Sequence, residues 1–300
     1  MSTRVAPARR LLLRILLGLF ILFCMYLFTR TPTHEGEWSP LQTRLPQIAL
    51  RHEGAQPYYH IENLRDFRYN ADGSVQRADY RSADFAPADL QQVWLGISHF
   101  GGYGLAHTLL SFEFTDDQFL AVSVEARLRP GQSYHPFLGL LRQYNKMVVL
   151  GTEADIIGLR THIRNERVLL YPLQLTEEER HYLFQALLRD AQQIAQQPDF
   201  YNTLLDNCTT NLLKHDPDYR FYTSLLDYRL LLPGFSDEVI QEKGWLATDK
   251  SIMDLRTRAT INAALIPVDA EDFSQGIREG YRTEWHQPAL ETSSLIAPNK

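Results

Sequence analysis

The stretch YNTLLDNCTTNLLKH, Tyr201 to His215, holds the residue types that thiol chemistry requires. Cys208 follows Asn207 and precedes Thr209 and Thr210, where the pattern places the start of a helix. Unsatisfied amides in a first helical turn, with the positive end of the helix dipole, lower a thiol's pKa and favour the thiolate. Beside an imidazole, such a thiol becomes an activated nucleophile. The same amides, with Asn207 and Thr209, could hold a developing oxyanion or orient a substrate. A small buried hydrophobe at 208 would need none of this, and the local sequence leaves both readings open.

Ten histidines could supply the imidazole. His52, His60, His99 and His135 lie in loop-like contexts, and His162 and His181 read as exposed. His215 is two helical turns beyond Cys208, too far along the axis for a hydrogen bond. His107 stands near the start of a strand, directly after FGGYGLA, whose glycines let backbone or substrate approach closely. It is the preferred partner. Metal sets can be assembled on paper, either Cys208, His215 and Asp216, or His99, His107 and Glu113. Neither has the spacing of H-E-x-x-H or paired C-x-x-C, so no metal and no cofactor is expected. The absence of a G-x-S-x-G elbow and of a Walker loop removes serine-hydrolase and nucleotide readings.

These residues must be positioned by a hairpin and a helix. GLAHTLLSFEF, a TDDQ break and FLAVSVEARLR alternate as two antiparallel strands. Pairing Phe112 with Val122 puts Ser123, Glu125 and Arg127 on the face of His107. Glu125 is then a diagonal step away and is the expected group orienting the ring. YNKMVVLGT and RVLLYPLQL read as further strands, and QPYYHIENLRDFRYNADGSVQRADYRSADF as an extended segment with a turn at Asp72-Gly73. DLQQVWLGISHF reads as a short helix. A capping box, TEEE from Thr176, opens a helix to about Gln197 that Pro198 ends. The class is α+β, an antiparallel sheet with packed helices.

The whole chain supports an exported protein with a substantial core. Its 300 residues are 44% apolar and 22% charged, and its net charge of −6 excludes a basic nucleic-acid surface. Leu11 to Phe28 makes a helix of about 27 Å, near the thickness of a bilayer core. Arg4, Arg9 and Arg10 precede it, which orients the N-terminus inward. A cleaved signal is the alternative, but TRTPTHEGEW offers no A-x-A-like site. A lipidated Cys24 is disfavoured by the bulk of Phe23. The expected organisation is residues 1–10 cytoplasmic, 11–28 a transmembrane anchor, 29–50 a linker, 51–285 the exported domain and 286–300 a polar tail. With Cys24 in the membrane, Cys208 has no intrachain partner and stays a free thiol in an oxidising compartment.

AHTLLSFEF followed by LAVSVEARLRPGQSY, then YNTLLDNCTTNLL and LLLPGFSDEVI, resembles the periplasmic domain of Lnb-type bacterial lipoprotein N-acyltransferases. The likeness spans about Pro57 to Trp245. It implies a circularly permuted relative of the NlpC/P60 papain-like fold, in which the histidine strand precedes the cysteine helix, as His107 precedes Cys208. It implies a thioester acyl-enzyme in the bacterial inner membrane. Acyl would come from a membrane lipid and pass to the amino group of a lipoprotein's N-terminal cysteine. The relatives carry further membrane spans that are not seen here. The competing expectations are a peptidoglycan amidase or endopeptidase acting on cell-wall peptides, and a non-catalytic scaffold.

Overall fold

The computed structural model describes residues 7–102, 104–203, 208–214, 227–261 and 266–282. An N-terminal helix, α1 (Pro7–Thr29), carries a 21-residue apolar stretch, Arg9–Thr29, of which none is buried. The domain that follows is mixed α+β and is built on one eight-stranded sheet. Its strands are β1 (Gln47–Glu53), β2 (Gln56–Tyr69), β3 (Val75–Phe85), β4 (Leu90–His99), β5 (Ala106–Phe114), β6 (Phe119–Arg127), β7 (Asn145–Gly151) and β8 (Arg167–Pro172). Their order is β1-β2-β7-β6-β5-β4-β8, with β3 also paired to β2. All pairings are antiparallel except the single parallel bridge of β2 to β7, Arg65↔Gly151.

The β5–β6 hairpin forms where the alternation placed it. Asp116 and Asp117 both adopt φ of 56°, the left-handed conformation of a tight two-residue hairpin turn that aspartate tolerates. Its register differs from expectation, since Leu110 pairs with Val122 and Phe112 with Leu120. The offset is two residues, an even number, so every side chain keeps its face. DLQQVWLGISHF, read as a helix, is the strand β4. It lies between β5 and β8, and Val93 to Ser98 are buried, so the alternation that marks a half-exposed strand is lost.

Helices cover both faces. On one, α4 (Glu177–Gln196) begins in the TEEE capping box and ends at Gln197, before Pro198. Its Phe184 meets Phe112 and Phe114 of β5 and Tyr59 of β2, with ring centroids 5.2, 5.3 and 5.7 Å apart. Helix α5 (Cys208–Leu213) follows it. On the other face lies α3 (Glu153–Gly158), after α2 (Pro136–Leu140) in the chain. Short helices end the described chain: α6 (Tyr228–Leu231), α7 (Ser236–Glu242), α8 (Ile252–Ala259), α9 (Phe273–Gly276) and α10 (Glu279–Arg282). Arg278 pins this last region to the sheet. It donates to both carboxylate oxygens of Glu153 at 2.7 and 2.6 Å and to Ser111 Oγ at 3.1 Å, all fully buried. Removing one partner of such a buried pair would leave an uncompensated charge.

Part of the expected 29–50 linker is packed on the domain. The guanidinium carbons of Arg127 and Arg129 lie 4.2 and 3.8 Å from the Trp38 ring centroid. The buried Gln42 side chain donates to Ala126 O at 2.9 Å and accepts from Leu128 N–H at 2.6 Å. An indole that shields two arginine stems, and a glutamine that closes the end of β6, are ordered by those contacts. β1 then starts at Gln47.

Candidate functional site

His107 enters the site on β5, its backbone paired to Ser98 of β4. Its half-buried ring lines a cavity of ≈ 360 Å³ shared with Glu125, Arg160, Arg164, Glu166 and Tyr134. Nε2 lies 2.7 Å from Ser123 Oγ, and that hydroxyl donates to Glu125 Oε1 at 3.1 Å. A hydroxyl has one proton. With that proton directed at Glu125, the Ser123 oxygen accepts from the ring. Nε2 therefore carries the imidazole hydrogen and Nδ1 is left as the basic nitrogen. Glu125, the expected orienting group, reaches the ring only through Ser123, which makes the direct contact.

Behind the carboxylate stands Arg160, whose Nη2 is 3.3 Å from Glu125 Oε1. It rides on a π-helical turn, Leu159–Ile163, that continues α3. Its Nη1 donates to Ile156 O at 2.7 Å, and its buried Nε has no hydrogen-bond partner. Helix α3 is capped by the Thr152 hydroxyl, which accepts from Asp155 N–H, so TEADIIG carries a start signal passed over in the sequence. Nothing local marks the wider turn that aims Arg160 at the sheet.

The electrostatics follow from burial and these cations. Desolvation and then the charge of Arg160 push His107 down to about 3, so the imidazole is neutral at pH 7. Desolvation would raise Glu125, but Arg160 and Arg65 outweigh it and hold the carboxyl at about 2, ionised.

Helix α5 is tethered next to this histidine. Thr209 N–H donates to Thr108 Oγ1 at 3.0 Å, and both threonines are buried to within 1% exposure. Thr108 alternates with His107, so the tether joins β5 on the face opposite the imidazole. The Thr209 amide, expected among the oxyanion or substrate-orienting groups, donates within the fold to Thr108. The Thr209 hydroxyl is buried without a partner. The Cys208 side chain and all of Asn207 lie outside the described residues, as does His215.

The glycines before His107 serve backbone contact. Gly104 has φ +79°, and a Cβ there would meet the Phe235 ring at 2.3 Å. Gly234 N–H donates to Gly104 O at 2.8 Å, and a Cβ on Gly234 would come within 2.7 Å of that same carbonyl. The PGF of LLLPGFSDEVI is therefore laid on the loop that precedes His107. Tyr103 of that loop lies outside the described residues. Three other histidines are engaged elsewhere: His99 faces the carbonyls of Arg167 and Gly234, His60 faces Asp84, and His135 accepts the Phe137 amide. His99 pairs with Ala106 across the ladder and so faces away from His107, and the paper set of His99, His107 and Glu113 is not brought together. Of the set Cys208, His215 and Asp216, the Cys208 side chain and both other residues lie outside the described residues.

A family model for the Lnb N-terminal periplasmic domain matches residues 76–233. Neither the curated proteins nor the solved structures yield a match.

Proposed function

This chain belongs to the family of the Lnb N-terminal periplasmic domain, and from that premise we propose that it is a membrane-anchored thiol acyltransferase working on the periplasmic side of the inner membrane. The observation that carries the proposal is the relay from Glu125 through Ser123 to His107 Nε2, on the strand to whose other face the start of α5 is tethered. The relay leaves Nδ1 as the ring nitrogen open to a proton. A thiol one residue before the Thr209 tether is the group that would give it.

In the proposed reaction Cys208 attacks an ester carbonyl of a membrane lipid, and His107 takes the thiol proton. The carbon–oxygen ester bond breaks, and the leaving alkoxide takes that proton, giving a lysolipid and a thioester on Cys208. The α-amino group of a lipoprotein's N-terminal cysteine then attacks the thioester. His107 takes the amine proton and returns it to the departing thiolate, leaving an amide. Asn207 is assigned to the developing oxyanion. The sheet with α5 is read as a permuted papain-like core, the histidine strand preceding the cysteine helix.

Intact-protein mass spectrometry of full-length protein from membranes tests this. An acyl adduct is expected on Cys208, discharged by a peptide bearing a free N-terminal lipid-modified cysteine and absent from Cys208→Ser, whose Tm is unchanged. Cleavage of muropeptides without an acyl adduct would replace the proposal with a wall hydrolase. No adduct, no cleavage and a large drop in Tm on Cys208→Ser would make the cysteine structural.

A further inference from the structure

The apolar anchor leaves the bilayer beside a second apolar feature. Outside α1, exposed large hydrophobic side chains are mostly scattered, but four fall within seven residues around α2: Tyr134, Phe137, Leu138 and Leu140, at 36, 60, 39 and 38% exposure. No other seven-residue window among the described residues outside α1 holds four. Isolated exposed apolar residues need no explanation, whereas a contiguous patch marks an interaction surface.

The patch is held firmly. The His135 carbonyl accepts from the amides of Leu138 and Gly139 at 3.0 and 3.2 Å, and Thr203 Oγ1 donates to Pro136 O at 2.7 Å. Gly139 is buried against Thr203, where a Cβ would come within 2.1 Å of Oγ1. The backbone polar groups are bonded inward while the apolar side chains point out.

Its position identifies the occupant. Arg142, two residues past α2, lies 5.7 Å over the Phe28 ring at the end of α1, and Arg30 donates to Gln143 Oε1 at 2.7 Å. The exit of the membrane span and α2 are therefore neighbours. Arg30 and Arg142 sit where phosphate headgroups would be, and Tyr26 lies within the last turn of the span, as aromatic side chains do at an interface.

We propose that α2 is a wedge that inserts Phe137, Leu138 and Leu140 into the leaflet of the bilayer at which α1 emerges. Tyr134 belongs both to this surface and to the lining of the cavity that holds His107. The wedge thus holds one wall of that cavity at the lipid surface. Insertion does not depend on the assignment of Cys208, and a failed acylation experiment would leave it standing.

The test uses full-length protein in nanodiscs of phosphatidylethanolamine and phosphatidylglycerol, with a photo-crosslinking benzoylphenylalanine placed by Phe137→p-benzoylphenylalanine. Met253→p-benzoylphenylalanine is the control, at a site 63% exposed and outside the patch. Both side chains point to solvent in the fold, so neither change disturbs the core. Lipid-mass adducts at position 137 at least fivefold above position 253 are expected. Equal yields at the two sites, or crosslinks from 137 to a second copy of the chain in place of lipid, would overturn the proposal.

Discussion

Ser123 stands between two titratable groups, and its single proton sets which nitrogen of His107 is basic. Ser123→Ala frees the ring to take either tautomer. It is expected to lower kcat by about 10²-fold, the scale of a general-base contribution, with little change in KM. The pH profile of Cys208 alkylation should move with it. Glu125→Gln keeps an acceptor for the Ser123 proton and should lose less. An unchanged alkylation profile in Ser123→Ala would remove Ser123 from the relay. The depressed pKa of His107 also makes a statement about stability. Unfolded chain takes a proton on this residue below about 6.5, while the folded chain resists until about 3. The stabilisation is complete above pH 6.5 and is lost as pH falls toward 3. Denaturant midpoints between pH 7 and pH 4 should therefore fall in the wild type and fall less in His107→Gln. His34 and His99 are lowered too, chiefly by burial, and act in the same direction. The difference between the two proteins isolates His107, and parallel curves would deny its part.

The elements around the site are joined by glycine contacts and hydrogen bonds as much as by apolar packing. Gly104 adopts a left-handed φ under the Phe235 ring, so Gly104→Ala meets both backbone strain and a clash. A cost of about 1–3 kcal/mol is expected from the strain, and a chain of this size loses about 2–4 °C of Tm per kcal/mol. Gly102→Ala, with nothing within 4 Å of its added carbon, should leave Tm in place. Calorimetry on the pair decides the matter, and equal Tm values would show that the loop yields freely. The hairpin, the capped α4 and the strands β7 and β8 were legible because each carries a local signal of alternation, capping or turn chemistry. β4 was not, because burial on both faces erases the alternation from which a strand is read.

At the scale of the molecule, a periplasmic domain family and one apolar N-terminal helix fit a single-pass membrane protein. Full-length protein is expected to sediment with membranes and to resist extraction by salt and alkaline carbonate. A soluble mature form beginning near Thr31 would show a cleaved signal instead. The sequence alone determined the anchor-like helix, the α+β class and the hairpin faces, since hydropathy, period and local motif are properties of neighbours in the chain. It also carried the likeness to the family whose domain it matches. Tertiary structure decided the rest. The two-residue register offset, the direct contact of Ser123 with the ring and the approach of Arg160 to Glu125 depend on strands and turns far apart in sequence. So do the Thr209 amide bound to Thr108 and Trp38 folded back over Arg127 and Arg129. Each is a contact between residues whose separation is closed only when the sheet assembles, and no local pattern of side chains encodes the distance across it.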